Sequence, residues 1–351
     1  MRISHLTKEL TLWLIVVFIL AGCSTKTIST SSSSAQLTSK HTETKQNHTA
    51  TIEGIYQIYS PESLNVLDPN QPVKVLASGF EWVEGPVWSS LGNYLLFSDI
   101  PTHKVFKYDE QNGLSEYLSN SGFSNGLVID QQNALVLLQS RSRQIAKMNA
   151  SLSQPANEYE IIIDSYRNKR LNSPNDGVIT ANGSLFFTDP PYGLEGKLND
   201  PAKELSFQGV YRLNNNHQLT LIDDTIVYPN GIALTKDERT LYVAASDPNK
   251  PAWYQYQLDE NLQVTHKKVF YELPPTTAAD HGLPDGLKIH PSGIIFATGP
   301  NGIFLFDKAA KLLAKIDLPI IAANLAFNGD YSKLYITAHQ KILSINLKIM
   351  K

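Results

Sequence analysis

The stretch "VYPNGIALTKDERTLYVAAS" (227–246) decides the fold. Asn230 and Gly231 stand directly before two short apolar runs separated by a polar segment, which is the pattern of two strands joined by a turn. Similar words recur, among them "SPNDGVITANGSLFFTDP" (173–190) and "LPDGLKIHPSGIIFATG" (283–299). A unit that returns along the chain with the same internal order indicates a repeat architecture.

The unit occurs six times, and one recurring position marks each copy. That position holds Gly85, Gly126, Gly177, Gly231, Gly286 and, in the sixth copy, Leu325, at intervals of 41, 51, 54, 55 and 39 residues. Each copy has three β-rich runs, five show a fourth, and "QPVKVLAS" (71–78) supplies an unassigned strand before the first copy. A β-sandwich does not explain six copies of which the last lacks its outer strand. We therefore predict an all-β fold, a six-bladed β-propeller whose N-terminal strand closes the last blade.

The first fifty residues have a different character. Arg2 and Lys8 precede the apolar run "LWLIVVFIL" (12–20), and "LAGC" ends at Cys23, the chain's only cysteine. This is the pattern of a signal peptide over residues 1–22, and "LAGC" is similar to a bacterial lipobox, which implies lipid on Cys23. The alternative is an ordinary signal peptide. Residues 24–50 hold 14 Ser or Thr in 27 positions, so we expect 23–50 to be a tether and 51–351 the propeller.

These features define the expected location and partners. A lipidated Cys23 predicts a protein of the bacterial cell envelope, on the outer membrane facing the periplasm, that meets membrane through its lipid anchor only. The formal net charge of −3 gives no strongly basic face, so nucleic acid is not an expected partner. The oligomeric state is left open.

A ring of oxygen-bearing side chains precedes the recurring position, and we call it the axial ring. Its members are Glu84, Asn125, Asp176 with Asn175 before it, Asn230, Asp285 and Asn324. Because the first strand of each propeller blade lines the central channel, these side chains are expected to converge at one end of the axis. Carboxylate and amide oxygens suit a hard divalent cation such as Ca²⁺. The alternative, that Asn or Asp before Gly only forms turns, suffices for one copy but not for six.

Several words together resemble the gluconolactonase/regucalcin (senescence-marker protein) family. They are "EGPVW" (84–88), "RLNSPNDGV" (170–178), "FTDPPYGL" (187–194), "PNGIAL" (229–234), "PDGL" (284–287) and "LYITA" (334–338). The resemblance implies a six-bladed propeller with a divalent metal, most commonly Ca²⁺, that opens a sugar lactone to its aldonic acid. It implies metal ligands at Glu84, Asn230 and Asp285, with Asn175 at the metal or at substrate, and Asp285 as the catalytic base.

One position departs from the regucalcin-like pattern. Those members carry a substrate-contacting Arg two residues before the asparagine of the "NDG" word, and Ser173 stands there in this chain. The metal chemistry can therefore be carried over while the contacts to the sugar are in doubt.

Further candidates lie near the ring. Asp176, Tyr192 and His281 are predicted to contact substrate, although Tyr192 can equally serve packing and His281 can be a solvated loop residue. The tryptophans Trp82, Trp88 and Trp253 are expected to fill spaces between blades.

Two other functions stay open: a paraoxonase-like arylesterase or organophosphate hydrolase with the same metal and fold, and a noncatalytic envelope scaffold, which would need no oxygen ring.

Overall fold

The computed structural model describes Thr51–Ile52 and residues 55–349. The predictions for the signal peptide, for Cys23 and for the tether lie outside these residues. Within them the elements are almost entirely strands, with two short 3-10 helices at Pro61–Asn65 and Lys197–Asn199. No helix of the described part is long and apolar enough to cross a membrane.

Six four-stranded antiparallel units follow one another along the chain, as predicted for a six-bladed propeller. From the innermost strand outward, the first three blades are Val83–Ser89, Tyr94–Asp99, Lys104–Asp109, Gly113–Leu118; Ser124–Ile129, Leu135–Gln139, Gln144–Met148, Tyr159–Ile163; and Gly177–Ile179, Leu185–Asp189, Gly209–Leu213, Leu219–Asp223. The fourth and fifth are Pro229–Leu234, Thr240–Ala245, Ala252–Leu258, Val264–Glu272; and Leu287–Ile289, Ile295–Gly299, Gly302–Phe306, Leu312–Asp317. The sixth has Asn324–Phe327, Lys333–Ala338 and Lys341–Asn346 from the C-terminal part of the chain. A small hairpin, Ser165–Tyr166 with Lys169–Arg170, lies between the second and third blades in the sequence.

An N-terminal strand closes the sixth blade, which confirms the prediction. Val73–Ser78 pairs antiparallel with Lys341–Asn346 as the fourth strand of that blade. Two further strands were not expected from the sequence. Thr51–Ile52 extends the sixth blade beyond Val73–Ser78, and Ile55–Ile58 pairs with the outer strand of the fifth blade. The segment before the first blade therefore pairs with both the fifth and the sixth blade.

The hydrophobic core is divided into six clusters, one between each pair of neighbouring blades. Leu96 and Leu137, for example, meet between the first and second blades, and Val83 and Tyr335 meet between the first and the sixth. Burial of this apolar surface is the dominant favourable contribution to folding. Because the first and sixth blades share such a cluster too, the blades form a closed circle around one axis. Trp253 fills the interface between the fourth and fifth blades, as expected.

Close approach between inner strands explains why glycine recurs. A Cβ on Gly85 would lie 1.9 Å from the carbonyl oxygen of Asn125 in the next blade, and one on Gly231 would lie 2.0 Å from that of Asp285. Gly85 also has φ of +56°, a left-handed conformation that favours glycine. At Gly85, Gly126, Gly231 and Gly286 the small residue thus lets one inner strand touch the start of the next, and this contact draws the axial ring together.

Candidate active site

A cavity of about 650 Å³ opens at one mouth of the central channel, and we call it the mouth cavity. Five side chains of the axial ring line it: Glu84, Asn125, Asn175, Asn230 and Asp285. Each comes from a different blade and lies at or just before the start of an inner strand. The structure therefore brings together the four side chains predicted to bind metal, and adds Asn125.

Hydroxyl groups on the second strands hold the backbone of the ring in place. Ser98 donates to the carbonyl of Asn125 at 2.8 Å, and Thr188 donates to the carbonyl of Asn230 at 2.7 Å. In both cases the donor lies one blade before the acceptor, so the hydroxyl links neighbouring blades around the axis. These residues were not predicted from the sequence, although a Ser or Thr returns at this position in "LFSD", "FFTD", "FATG" and "YITA".

Three buried oxygen atoms of the ring have no hydrogen-bond partner among the described residues. They are Oδ1 of Asn125, Asn230 and Asp285. The amide nitrogen of Asn230 donates to the hydroxyl of Ser246 at 2.9 Å, which leaves its oxygen as the unpartnered end. A buried acceptor without a partner is costly, and most such atoms in proteins meet a donor, water or an ion. These oxygens fit a bound cation.

The electrostatics of the mouth cavity agree with this fit. Burial raises the pKa of Glu84 to about 7, against the opposing effect of the Gly85 N–H, which donates to its Oε2 at 2.9 Å. Burial, followed by the charges of Glu84 and Asp176, raises the pKa of Asp285 well above its ordinary value. Glu84 and Asp285 line one cavity and their charges repel, so a proton or a cation between them would stabilise the pair. No cluster of three or more His, Cys, Asp or Glu occurs in the described part of the chain, so amide oxygens would complete the coordination.

Two members of the axial ring form a separate group. Asp176 and Asn324 do not line the mouth cavity, and the amide of Asn324 donates to the carboxylate of Asp176 at 3.2 Å. The ammonium of Lys288 lies 3.7 Å from Asp176 and donates to Asn324 at 3.2 Å. The ring is therefore split into cavity-facing oxygens and a hydrogen-bonded group around Lys288. The predicted contact between Asp176 and substrate stays a prediction, but its carboxylate already has these partners.

Of the other predicted site residues, some line the mouth cavity and one does not. Tyr192 lines the mouth cavity and stacks on Tyr228 with ring centroids 5.8 Å apart. His281 is exposed and does not line the cavity, and its backbone N–H donates to the side chain of Asn301 at 2.8 Å. Its contact with substrate remains a prediction. Trp82 lies just before the start of the first inner strand, where it lines the cavity wall and packs edge-on against the ring of His339 from the sixth blade, with centroids 5.1 Å apart.

Comparison with known proteins agrees with this arrangement. The family model described as "SMP-30/Gluconolactonase/LRE-like region" matches residues 82–340. A gluconolactonase of Zymomonas mobilis is 32% identical over 340 residues, covering 92% of this chain and 94% of the relative. The structure of a gluconolactonase from Xanthomonas campestris superposes with a TM-score of 0.75 at 27% identity, covering 86% of this chain and 97% of the other.

A third neighbour is a structure described as a calcium-binding protein, regucalcin, from Agrobacterium tumefaciens. Its TM-score is 0.64 at 16% identity, with 79% of this chain and 94% of the other covered, so it shows the shared fold only. The family model covers most of the propeller, and the words that carry the resemblance lie in or next to the strands around the mouth cavity. The chain belongs to the SMP-30/gluconolactonase/LRE-like family.

Proposed function

We propose that the protein is a metal-dependent hydrolase that opens a sugar lactone to its aldonic acid. The observation that carries the proposal is the set of unpartnered buried oxygens of Asn125, Asn230 and Asp285 in one cavity. Family membership and the likeness to proteins named gluconolactonase support the reaction class. A scaffold that only displays its outer surfaces would have no need to bury polar atoms without partners.

The residues present fit a divalent cation, most simply Ca²⁺. Glu84, Asn230 and Asp285 would hold it, with Asn175 beside them directly or through water. All four supply oxygen, and no described residue brings a thiolate or an imidazole to the cavity lining, which favours a hard ion. When bound, such an ion supplies a Lewis acid that polarises a carbonyl oxygen.

Asp285 is the proposed general base. Asp285 is half-buried, its Oδ1 is buried without a partner, and its pKa is raised, which makes its carboxylate a better proton acceptor than that of an exposed aspartate. In the reaction it takes a proton from the attacking water, whose oxygen bonds to the lactone carbonyl carbon. The bond between that carbon and the ring oxygen then breaks, the ring oxygen takes the proton from Asp285, and the aldonic acid leaves and loses its carboxyl proton to water. Tyr192 and Trp82 would form walls that orient the sugar.

The proposal is tested with a substrate panel on EDTA-treated and Ca²⁺-restored protein. The panel holds aldonolactones, aryl esters and paraoxon, because an arylesterase or organophosphate hydrolase would favour the last two. We expect lactone hydrolysis that disappears with EDTA and returns with Ca²⁺. Asp285→Asn with saturating Ca²⁺ should be slower by at least about a hundredfold, since general-base catalysis is worth ~10²–10⁴ in rate.

Asp237→Asn is the matched control. Asp237 is exposed in a turn outside the mouth cavity, and its acceptor atom Oδ1 is kept in the amide. This variant should retain parental rates. Hydrolysis of lactones by metal-free protein at the full rate would overturn the metal-dependent reading. Inactivity towards every lactone in the panel would overturn the lactonase reading.

A further inference from the structure

Two cationic side chains lie on the wall of the mouth cavity without forming an ion pair with the described residues. Arg141 and Lys197 both line the cavity and both are exposed. Neither takes part in an ion pair within the described residues. Some other lysines of the described residues do pair with a carboxylate, as Lys104 does with Glu116 at 2.8 Å. The cations of this wall are therefore available to a ligand.

The packing of one loop brings the two cations to the same side. The hydroxyl of Ser173 accepts from the N–H of Gly193 and donates to the carbonyl of Pro190, both at 2.8 Å. A Cβ on Gly193 would lie 2.6 Å from the carbonyl oxygen of Ser140. The loop that leads to Lys197 is thus pressed against the residue that precedes Arg141. Ser173 serves this packing and does not line the cavity.

Arg141 differs from the arginines near it. Arg143 is buried and donates to the carbonyls of Leu171 at 2.7 Å and Ala202 at 2.8 Å, so it holds the loops together. The guanidinium of Arg141 makes no hydrogen bond with the described residues. It lies over the ring of Phe123 at 5.1 Å, a cation–π contact that orients the group and leaves its N–H donors free.

Apart from Glu84 and Asp285 of the axial ring, the acid on the cavity wall is Asp280, whose oxygens already accept hydrogen bonds. Asp280 lines the cavity, but its Oδ2 accepts from the N–H and the hydroxyl of Thr277 at 2.7 and 2.9 Å. Its Oδ1 accepts from the amide of Asn301 at 3.1 Å. These bonds hold the loop before Asp285, and they leave Asp280 unable to neutralise two cations at once.

We propose that Arg141 and Lys197 form a subsite for an anionic group, a carboxylate or a phosphate, carried by the lactone away from its carbonyl. The inference deepens the proposed function and rests on it: the substrates would be charged sugar lactones in preference to neutral ones. A guanidinium matches the geometry of carboxylate and phosphate oxygens, and an ammonium adds a second positive charge. Arg141 would orient the anionic group through its hydrogen bonds, and Lys197 would add a second positive charge.

The test compares kcat/KM for glucono-1,5-lactone, its 6-phosphate and glucaro-1,4-lactone, with Ca²⁺ present. The parent protein should prefer the charged lactones. Arg141→Gln should lower the charged-to-neutral ratio roughly tenfold or more, because hydrogen bonds to charged groups are worth about tenfold to a hundredfold. Arg141→Lys should recover part of the ratio, and Lys197→Gln should lower it less. The matched control is Arg239→Gln, an exposed arginine in the 235–240 turn outside the cavity, which should leave the ratio unchanged.

Binding is measured separately, so that the subsite is tested even if turnover is absent. Calorimetry with gluconate and 6-phosphogluconate reports the contribution of the added phosphate, and glucarate reports that of a carboxylate. Tighter binding of 6-phosphogluconate and glucarate than of gluconate, lost in Arg141→Gln and weakened by salt, would support the subsite. Two results would overturn it. One is the same charged-to-neutral ratio of kcat/KM in Arg141→Gln and Arg239→Gln, and the other is equal binding of gluconate, 6-phosphogluconate and glucarate. Absence of lactone hydrolysis with charge-dependent binding intact would instead count against the proposed reaction alone.

Discussion

Replacing Glu84 with Gln is expected to stabilise the cation-free protein at pH 8 and to abolish the stabilisation that Ca²⁺ gives the parent. Glu84 is 3% exposed, and burial raises its pKa to about 7 from an ordinary value of 4.5. The folded protein therefore binds a proton that the unfolded chain has already released between these values. Without a cation, the contribution of protonated Glu84 to the free energy of unfolding is fully present below about pH 4.5. It is lost as the pH rises through about 7.

The size of this loss follows from the two pKa values. One pKa unit corresponds to about 1.4 kcal/mol, so ionising Glu84 in the cation-free protein costs roughly 3 kcal/mol. Gln keeps an acceptor for the N–H of Gly85 and carries no charge. In EDTA at pH 8 the variant should therefore melt several degrees above the parent, since ~1 kcal/mol moves the Tm of a large domain by about 2–4 °C. At pH 5 the two should melt closer together.

A large excess of calcium should make the parent melt at a higher temperature than Glu84→Gln. A ligand at a thousand times its Kd stabilises the folded parent by about 4.1 kcal/mol, which exceeds the roughly 3 kcal/mol cost of ionising Glu84, whereas Glu84→Gln should gain much less. Thermal melts of both proteins at pH 5 and pH 8, with EDTA and with excess Ca²⁺, make the comparison. Glu81→Gln is the control, because it removes the same charge from an exposed side chain three residues away. A variant less stable than the parent in EDTA at pH 8 would refute the reasoning.

Three further predictions concern the ring, the closing strand and the N-terminus. Gly231→Ala places a methyl 2.0 Å from the carbonyl oxygen of Asp285, so it should destabilise the fold by about 1–3 kcal/mol and weaken cation binding, measured by thermal melts and calorimetry. A chain that starts at residue 79 lacks Val73–Ser78 and exposes Lys341–Asn346 as an edge, so it should aggregate in sedimentation assays whereas one starting at residue 51 should not. We also propose that Cys23 carries lipid in the cell envelope: Cys23→Ser should leave the membrane fraction with its melting temperature unchanged, and mass spectrometry of an unmodified Cys23 would contradict this.

The fold was predictable because its information is repeated. Six copies of one unit, each short and each with the same turn chemistry, gave the blades, and the missing outer strand of the sixth copy pointed to residues 71–78. The extra strand Ile55–Ile58 has no counterpart in the repeat. It pairs with Leu312–Asp317, more than 250 residues away, and such a pairing leaves no local pattern in the sequence.

The site was predictable in position but not in arrangement. Repeat position alone brings Glu84, Asn230 and Asp285 to one mouth of the channel. It could not separate Asp176 from them, because that depends on Lys288, whose side chain reaches across from another blade. The roles of Ser173 and Arg141 also depend on how a long loop packs against its neighbours, and loop packing is set by tertiary contacts.

Titration calorimetry of Ca²⁺ into EDTA-treated protein tests the central claim most directly. The parent should bind one ion per chain in the axial ring, and Asn230→Ala should bind it much more weakly while keeping a folded propeller by circular dichroism. Asn230 suits this test because its Oδ1 is buried without a partner, so its removal deletes a ligand and leaves the carboxylates in place. No heat of binding in the parent, or the same affinity in the parent and in Asn230→Ala, would contradict the account.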